Sequence, residues 1–217
     1  MAEQAKIKIG RIIESPLATN CYFVYREGYR EDAKEVIFFD PADNGGRIYE
    51  KLTEKGFVVK AICLTHAHFD HIWGLAELAE KTGAPVYALD LEKPLCEDPE
   101  MNVSARFGRV VTAKVDHYLH DGDVLEIAGL TAKVISTPGH TAGSCCYYFE
   151  EAQILVSGDT LFYESVGRDD FPTGSGGELF RSIRDILFAL PEETMVFPGH
   201  GESTTIGHEK KYNPYIY

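Results

Sequence analysis

The sequence predicts an α/β fold in which sheets pack as a sandwich with helices outside. Three observations carry that expectation. Short apolar runs alternate with segments of helical periodicity, each run ends in a turn that carries histidine or aspartate, and the second half of the chain echoes the first.

Taken in order, residues 7–13 and 20–25 read as strands, and the charged turn Arg26 to Lys34 leads into Val36-Ile37-Phe38-Phe39, which stops at Asp40-Pro41. Gly45-Gly46 precedes a helix carrying Ile48, Tyr49 and Leu52, and Gly56 ends it. The buried run Ala61-Ile62-Cys63-Leu64 then delivers Thr65-His66-Ala67-His68-Phe69-Asp70-His71 to a sheet edge, and Ile72, Leu75, Ala76, Leu78 and Ala79 continue at helical spacing. Residues 84–89 form a strand, and residues 90–108, with Pro94, Pro99 and Gly108, an irregular segment at the mouth of the site. Asp121-Gly122 lies between Val115 to Leu119 and Val124 to Ile127, which predicts a hairpin. Val134-Ile135 runs into Thr137-Pro138-Gly139-His140.

The echo starts at Ser144 to Phe149 and Ile154-Leu155-Val156, which ends at Asp159 as the earlier run ends at Asp40. Gly176-Gly177 opens a helix with Leu179, Phe180, Ile183, Ile186, Leu187 and Leu190 on one face, and Met195-Val196-Phe197 delivers Pro198-Gly199-His200-Gly201. Two such units would bring both sets of loops to one edge.

A length of 217 residues, 44% of them hydrophobic, suits one domain spanning 1–217. A net charge of −13 gives nucleic acid or an anionic membrane nothing to bind, so a small-molecule substrate is expected. No window approaches the roughly 18 apolar residues of a spanning helix, and the N-terminus has no export-signal pattern, so the cytoplasm is the expected address. The oligomeric state is left open. Cys21, Cys63, Cys96, Cys145 and Cys146 have no C-x-x-C spacing and read as reduced core thiols, with Cys145 and Cys146 on opposite strand faces.

Three histidines and a carboxylate within residues 66–71 would leave buried lone pairs and repel one another on protonation, and a divalent cation relieves both. Nitrogen and oxygen donors without thiolate suit zinc first, with iron or manganese as alternatives, and seven donors exceed one tetrahedral site. The expected arrangement has His66, His68 and His140 on one ion, Asp70, His71 and His200 on a second, and Asp159 bridging them together with a hydroxide. Such a centre needs no serine or cysteine nucleophile.

T-H-A-H-F-D-H, T-P-G-H-T-A-G-S, S-G-D-T-L-F and F-P-G-H-G resemble the metallo-β-lactamase fold superfamily over essentially the whole chain, which implies a four-layered αββα sandwich. Val166 to Pro172 and Thr205 to Pro214 are similar to short, single-domain glyoxalase II-like hydrolases. That resemblance implies hydrolysis of a small thioester, with S-lactoylglutathione as the reference substrate, a metal-bridging hydroxide as nucleophile, and Asp70 as the catalytic carboxylate that orients it. It also assigns Arg168 to the substrate's carboxylate, although Asp170 stands where the family has an aromatic residue, and it makes Asp40 the anchor of a ligand histidine. The chain stops 17 residues after His200, where full-length enzymes carry a helical glutathione-binding domain, so the thiol carrier is left open. A rival on the same fold resembles persulfide dioxygenases, with His66, His140 and Asp159 as a mononuclear iron site.

Overall fold

The computed structural model describes residues 6–30 and 33–216. The first five residues of the stretch read for an export signal, and Glu31 and Asp32 of the charged turn, lie outside them.

Alternation along the strands builds the layers. The first sheet runs β1 (Ile7–Glu14), β2 (Thr19–Arg26), β3 (Lys34–Phe39), β4 (Phe57–Cys63), β5 (Val86–Leu89) and β6 (His117–Leu119) in that spatial order. In β2 and β3, Phe23, Val36 and Phe38 face outward onto helices α1 (Gly45–Glu54) and α3 (Leu75–Thr82), where Ile48, Leu52, Leu75 and Leu78 meet them. Their neighbours Tyr22, Val24, Ile37 and Phe39 face the other way. They meet Ala132, Val134, Tyr147, Phe149 and Val156 of the second sheet.

That second sheet is made of β7 (Val124–Ile127), β8 (Leu130–Ser136), β9 (Cys145–Phe149), β10 (Ile154–Gly158), β13 (Met195–Pro198) and β14 (Thr204–Thr205). Its outer face, with Ile135, Cys146, Tyr148, Leu155 and Val196, packs against Leu179 of α5 (Gly176–Arg181), Ile183, Leu187 and Ile206 of α6 (Ile206–Tyr212). Three apolar interfaces separate four layers, the αββα sandwich expected. Short elements complete it: α2 (Phe69–Ile72), α4 (Lys93–Glu97), and the ribbon β11 (Leu161–Phe162) with β12 (Ser165–Val166). Cys145 lies between the sheets and Cys146 under the helices, and all five cysteines are free and buried. Among the described residues no helix is long and apolar enough to cross a membrane.

The echo is topological. β2 pairs antiparallel with β3, which pairs parallel with β4; β9 pairs antiparallel with β10, which pairs parallel with β13. Both parallel crossovers run through a helix, α1 in one half and α5 in the other.

Three local expectations are corrected. Asp121-Gly122 is a turn but closes no hairpin, because β6 pairs with β5 in the first sheet while β7 pairs with β8 in the second. The hairpin of that region is β7–β8, closed by Ala128 and Gly129, both at positive φ. The helix after the ligand loop is broken at Gly74 into α2 and α3, and Ala76 faces solvent. Leu179, Ile183 and Leu187 are buried while Phe180 and Ile186 are each 40% exposed, and beyond α5 a π-helical turn (Ser182–Ile186) shifts the register at Ile186.

The contact between α1 and α3 depends on a missing side chain. A Cβ on Gly45 would lie 2.2 Å from Gly74 O and 2.7 Å from Leu78 N, whereas one on Gly46 would meet the movable Glu77 carboxylate. Gly45→Ala is expected to destabilise the protein by about 1–3 kcal/mol through overpacking and Gly46→Ala by less, as read from urea denaturation midpoints.

Candidate metal centre

Every candidate donor follows the C-terminal end of a strand: His66 to His71 after β4, His140 after β8, Asp159 after β10 and His200 after β13. Backbone and hydroxyl contacts join the sheets at this edge. Cys145 N donates to Thr65 O at 2.9 Å, Asn20 N to Gly199 O at 2.7 Å, and the Tyr147 hydroxyl to Leu64 O at 2.9 Å. The Asn20 amide also donates to Pro198 O and Gly201 O, which clamps the turn holding His200.

All seven predicted donors come together. His66, His68 and His140 form one trio of facing donor atoms, and Asp70, His71 and His200 form another. A third trio, His66, His71 and Asp159, links them. His140 Nε2 lies 2.9 Å from His68 Nδ1 and 3.2 Å from His66 Nε2, so three imidazole nitrogens crowd one point. Asp159 sits between the trios: Oδ2 is 3.6 Å from both His140 Nε2 and His200 Nε2, and Oδ1 is 3.4 Å from His71 Nε2.

The rings are held from behind. His71 Nδ1 lies 3.0 Å from Asp40 Oδ2, His140 Nδ1 2.7 Å from Arg168 O, His200 Nδ1 3.2 Å from Leu17 O, and His66 Nδ1 3.1 Å from Thr65 Oγ1. Each tie leaves the opposite nitrogen for the centre. Asp40 stands where it was expected and does more than cap its turn, since it also accepts from Thr65 N at 2.8 Å and Thr65 Oγ1 at 2.7 Å.

Burial holds the His66, His68 and His140 imidazoles below their usual range, His68 at about 3, so the trio is neutral with its lone pairs free. Burial also opposes a charge on His71, but Asp159, Asp70 and Asp40 raise it well above the imidazole range. The Asp159 carboxyl, which burial would raise, is held well below its usual range by His71, His200 and His140.

The donor set passes a test of fit to a divalent cation. His71 Nε2 and Asp159 Oδ1 are buried, face one another, and have no hydrogen-bond partner; His68 Nε2 is unpartnered too. Buried polar atoms without partners are rare, and a cation is what this pair lacks. Nitrogen and carboxylate donors suit zinc, iron or manganese.

Residues 15–200 match the family model of the metallo-beta-lactamase superfamily. The chain belongs to the metallo-beta-lactamase superfamily. It is similar to the probable metallo-hydrolase YqgX of Bacillus subtilis, 38% identical over 97% of this chain and 98% of that one. It is 29% identical to the hydroxyacylglutathione hydrolase GloC of Haemophilus influenzae, over 91% of this chain and 92% of that protein. Among solved structures, the BLEG-1 B3 metallo-beta-lactamase superimposes with a TM-score of 0.89 at 39% identity, covering 96% of this chain and 99% of that one. TTHA1623 in a di-iron-bound form gives 0.83 at 33% identity, covering 95% and 100%. A superfamily fold of this kind implies a divalent metal at the His/Asp clusters.

Sequence reasoning missed several residues at this superfamily centre. Thr19 Oγ1 donates to Asp70 Oδ2 at 3.3 Å, and Asn20 holds the His200 turn, yet Asn20 reads only as the start of a strand and Thr19 lies just outside it. Phe107 and Glu92 lie in the irregular segment, where no periodicity marks them. Trp73 packs on Phe69 and donates from Nε1 to Arg109 O. Arg168 lines the cavity over the donors but donates from Nε and Nη2 to Asp170, at 2.7 and 2.8 Å, and lies over the Phe171 ring.

Asp40→Ala removes the tie behind His71 and both bonds to Thr65. Zinc affinity, measured by competition with a chromophoric chelator, is expected to fall roughly 10–100-fold.

Proposed function

We propose that this chain is a dinuclear, zinc-dependent hydrolase of small thioesters acting in the cytoplasm, with Asp70 as its catalytic carboxylate. One observation carries the reading. Five of the seven candidate donors, His68, Asp70, His140, Asp159 and His200, open onto a cavity of about 430 Å³, and apart from them its described lining is Leu17, Phe69, Phe107, Phe162, Val166 and Phe171, with Ser165 and Arg168 as the only other polar side chains. Every histidine and carboxylate there is a candidate donor, and no separate general acid is present among the described lining residues.

That composition favours a leaving group that needs no proton. An alkoxide or amide anion needs a proton as it departs, whereas a thiolate, with a thiol pKa of about 8.5, does not. When bound, two divalent cations supply an activated water and a Lewis acid for the carbonyl. Asp70, buried, with Thr19 Oγ1 donating to it at 3.3 Å and His200 Nε2 3.2 Å away, orients the attacking water. Phe69 and Phe107, stacked with centroids 4.2 Å apart, offer an apolar wall to the acyl group. Arg168 is placed to exchange Asp170 for a substrate carboxylate, since an exposed pair of this kind contributes little. The similarity to GloC supports a thioester, with the thiol carrier open.

Metal content, thioester loss and oxygen uptake measured on one purified sample test this reading. Two metals per chain with thioester turnover are expected; one iron per chain with oxygen uptake on glutathione persulfide would establish the dioxygenase rival instead. Asp70→Ala is expected to lower kcat at least 10²-fold with the circular-dichroism spectrum kept, and retained turnover would remove Asp70 from the mechanism. Phe107→Ala is expected to raise KM several-fold for thioesters of apolar acids with little change in kcat, the pattern of lost uniform binding.

A further inference from the structure

Glu92 is completely buried in the turn Asp90–Glu92 between β5 and α4, outside the seven donors. Its Oε1 accepts from Ala67 N at 2.8 Å and its Oε2 from Thr141 Oγ1 at 2.8 Å, and the Gly143 N–H is a third donor. Three donors and no acceptor are the surroundings an ionised carboxylate takes. Gly143 is part of the design: a Cβ there would fall 2.2 Å from Glu92 N and 2.5 Å from Glu92 Oε2. Burial opposes the charge and pushes the carboxyl up to about 7, with no cation among the influences on it. A lone buried carboxylate is expensive to keep.

The positions of the two arms show what it does. Ala67 stands between His66 and His68, and Thr141 follows His140. One side chain therefore ties together the backbones that carry all three members of the first donor trio, and it reaches none of Asp70, His71 or His200. Asp40 lies behind the other trio through His71, and it also reaches His66 through Thr65 Oγ1.

We propose that Glu92 is a positioning residue for the site formed by His66, His68 and His140, holding the 66–68 and 140–143 loops in register and adding a negative charge behind the cation they bind. The proposal rests on the metal reading given above and not on the identity of the substrate.

The test is zinc and cobalt(II) titration of apo-protein against a chromophoric chelator, with apo-state melting followed in parallel. His200→Ala restricts strong binding to the first trio and His68→Ala to the second, so each is read separately. Glu92→Gln keeps the shape, removes the charge and turns one acceptor into a donor facing donors. It is expected to weaken zinc at the first trio by roughly 10–100-fold and alter the cobalt absorption there, while the second trio stays within about threefold and the apo-protein remains folded. Thr141→Val, which removes one arm only, is expected to weaken the same trio by less, and it decides the matter if Glu92→Gln fails to fold. Wild-type affinity at the first trio in a folded Glu92→Gln protein, or in Thr141→Val should that alone fold, would overturn the proposal. Equal weakening of both trios alongside a lower apo-state melting temperature would overturn it as well, leaving Glu92 a general fold residue. Failure of the wild-type protein to bind metal would instead remove the reading on which it rests.

Discussion

Bringing five imidazoles and two carboxylates into one buried space is a constraint that the surrounding structure has to answer. Neutral rings leave lone pairs unpaired, charged rings repel, and neither state is stable without a cation or a partner behind each ring. The fold answers with ties from behind: Asp40 to His71, Arg168 O to His140, Leu17 O to His200, Thr65 to His66. Asp159, between the trios, faces His71 Nε2 at 3.4 Å and His140 and His200 Nε2 at 3.6 Å.

Those ties come from both sheets, which explains why a sandwich suits the site. The apolar interface between the sheets brings two strand ends into contact, and bonds such as Cys145 N to Thr65 O and Asn20 N to Gly199 O lock the two edges together. The first half supplies Asp40 and residues 66–71; the second supplies His140, Asp159 and His200. A strand, a helix and a parallel strand recur in each half, so one local solution for presenting a donor at a strand's end is used twice.

Legibility in the sequence followed the range of the interaction. Apolar runs, double glycines and the histidines after them depend on neighbours in the chain, so the longer strands, α1, the layered class and the seven candidate donors could be named from it directly. The Cys145 and Cys146 faces were legible for the same reason, since successive strand residues point to opposite sides. Asp121-Gly122 shows where that stops: its turn chemistry is local and was read correctly, but whether β6 and β7 pair is decided by which edge strand each meets. The π-helical turn after α5 likewise follows from packing, and it leaves Ile186 exposed against the helical pattern.

By itself the sequence determined the types of the candidate donors, their order and their placement at strand ends, because metal ligation calls for particular side chains and strand ends are set by local patterning. Only the tertiary structure decided which donors face one another, which atoms stand behind them, and what fills the cavity. Glu92, Thr19, Asn20 and Phe107 act across 25 to 181 residues of chain or from a segment without periodicity, and nothing near them in sequence marks that reach. Their parts exist only once β2, the loop after β5 and the second sheet have been packed around the same edge.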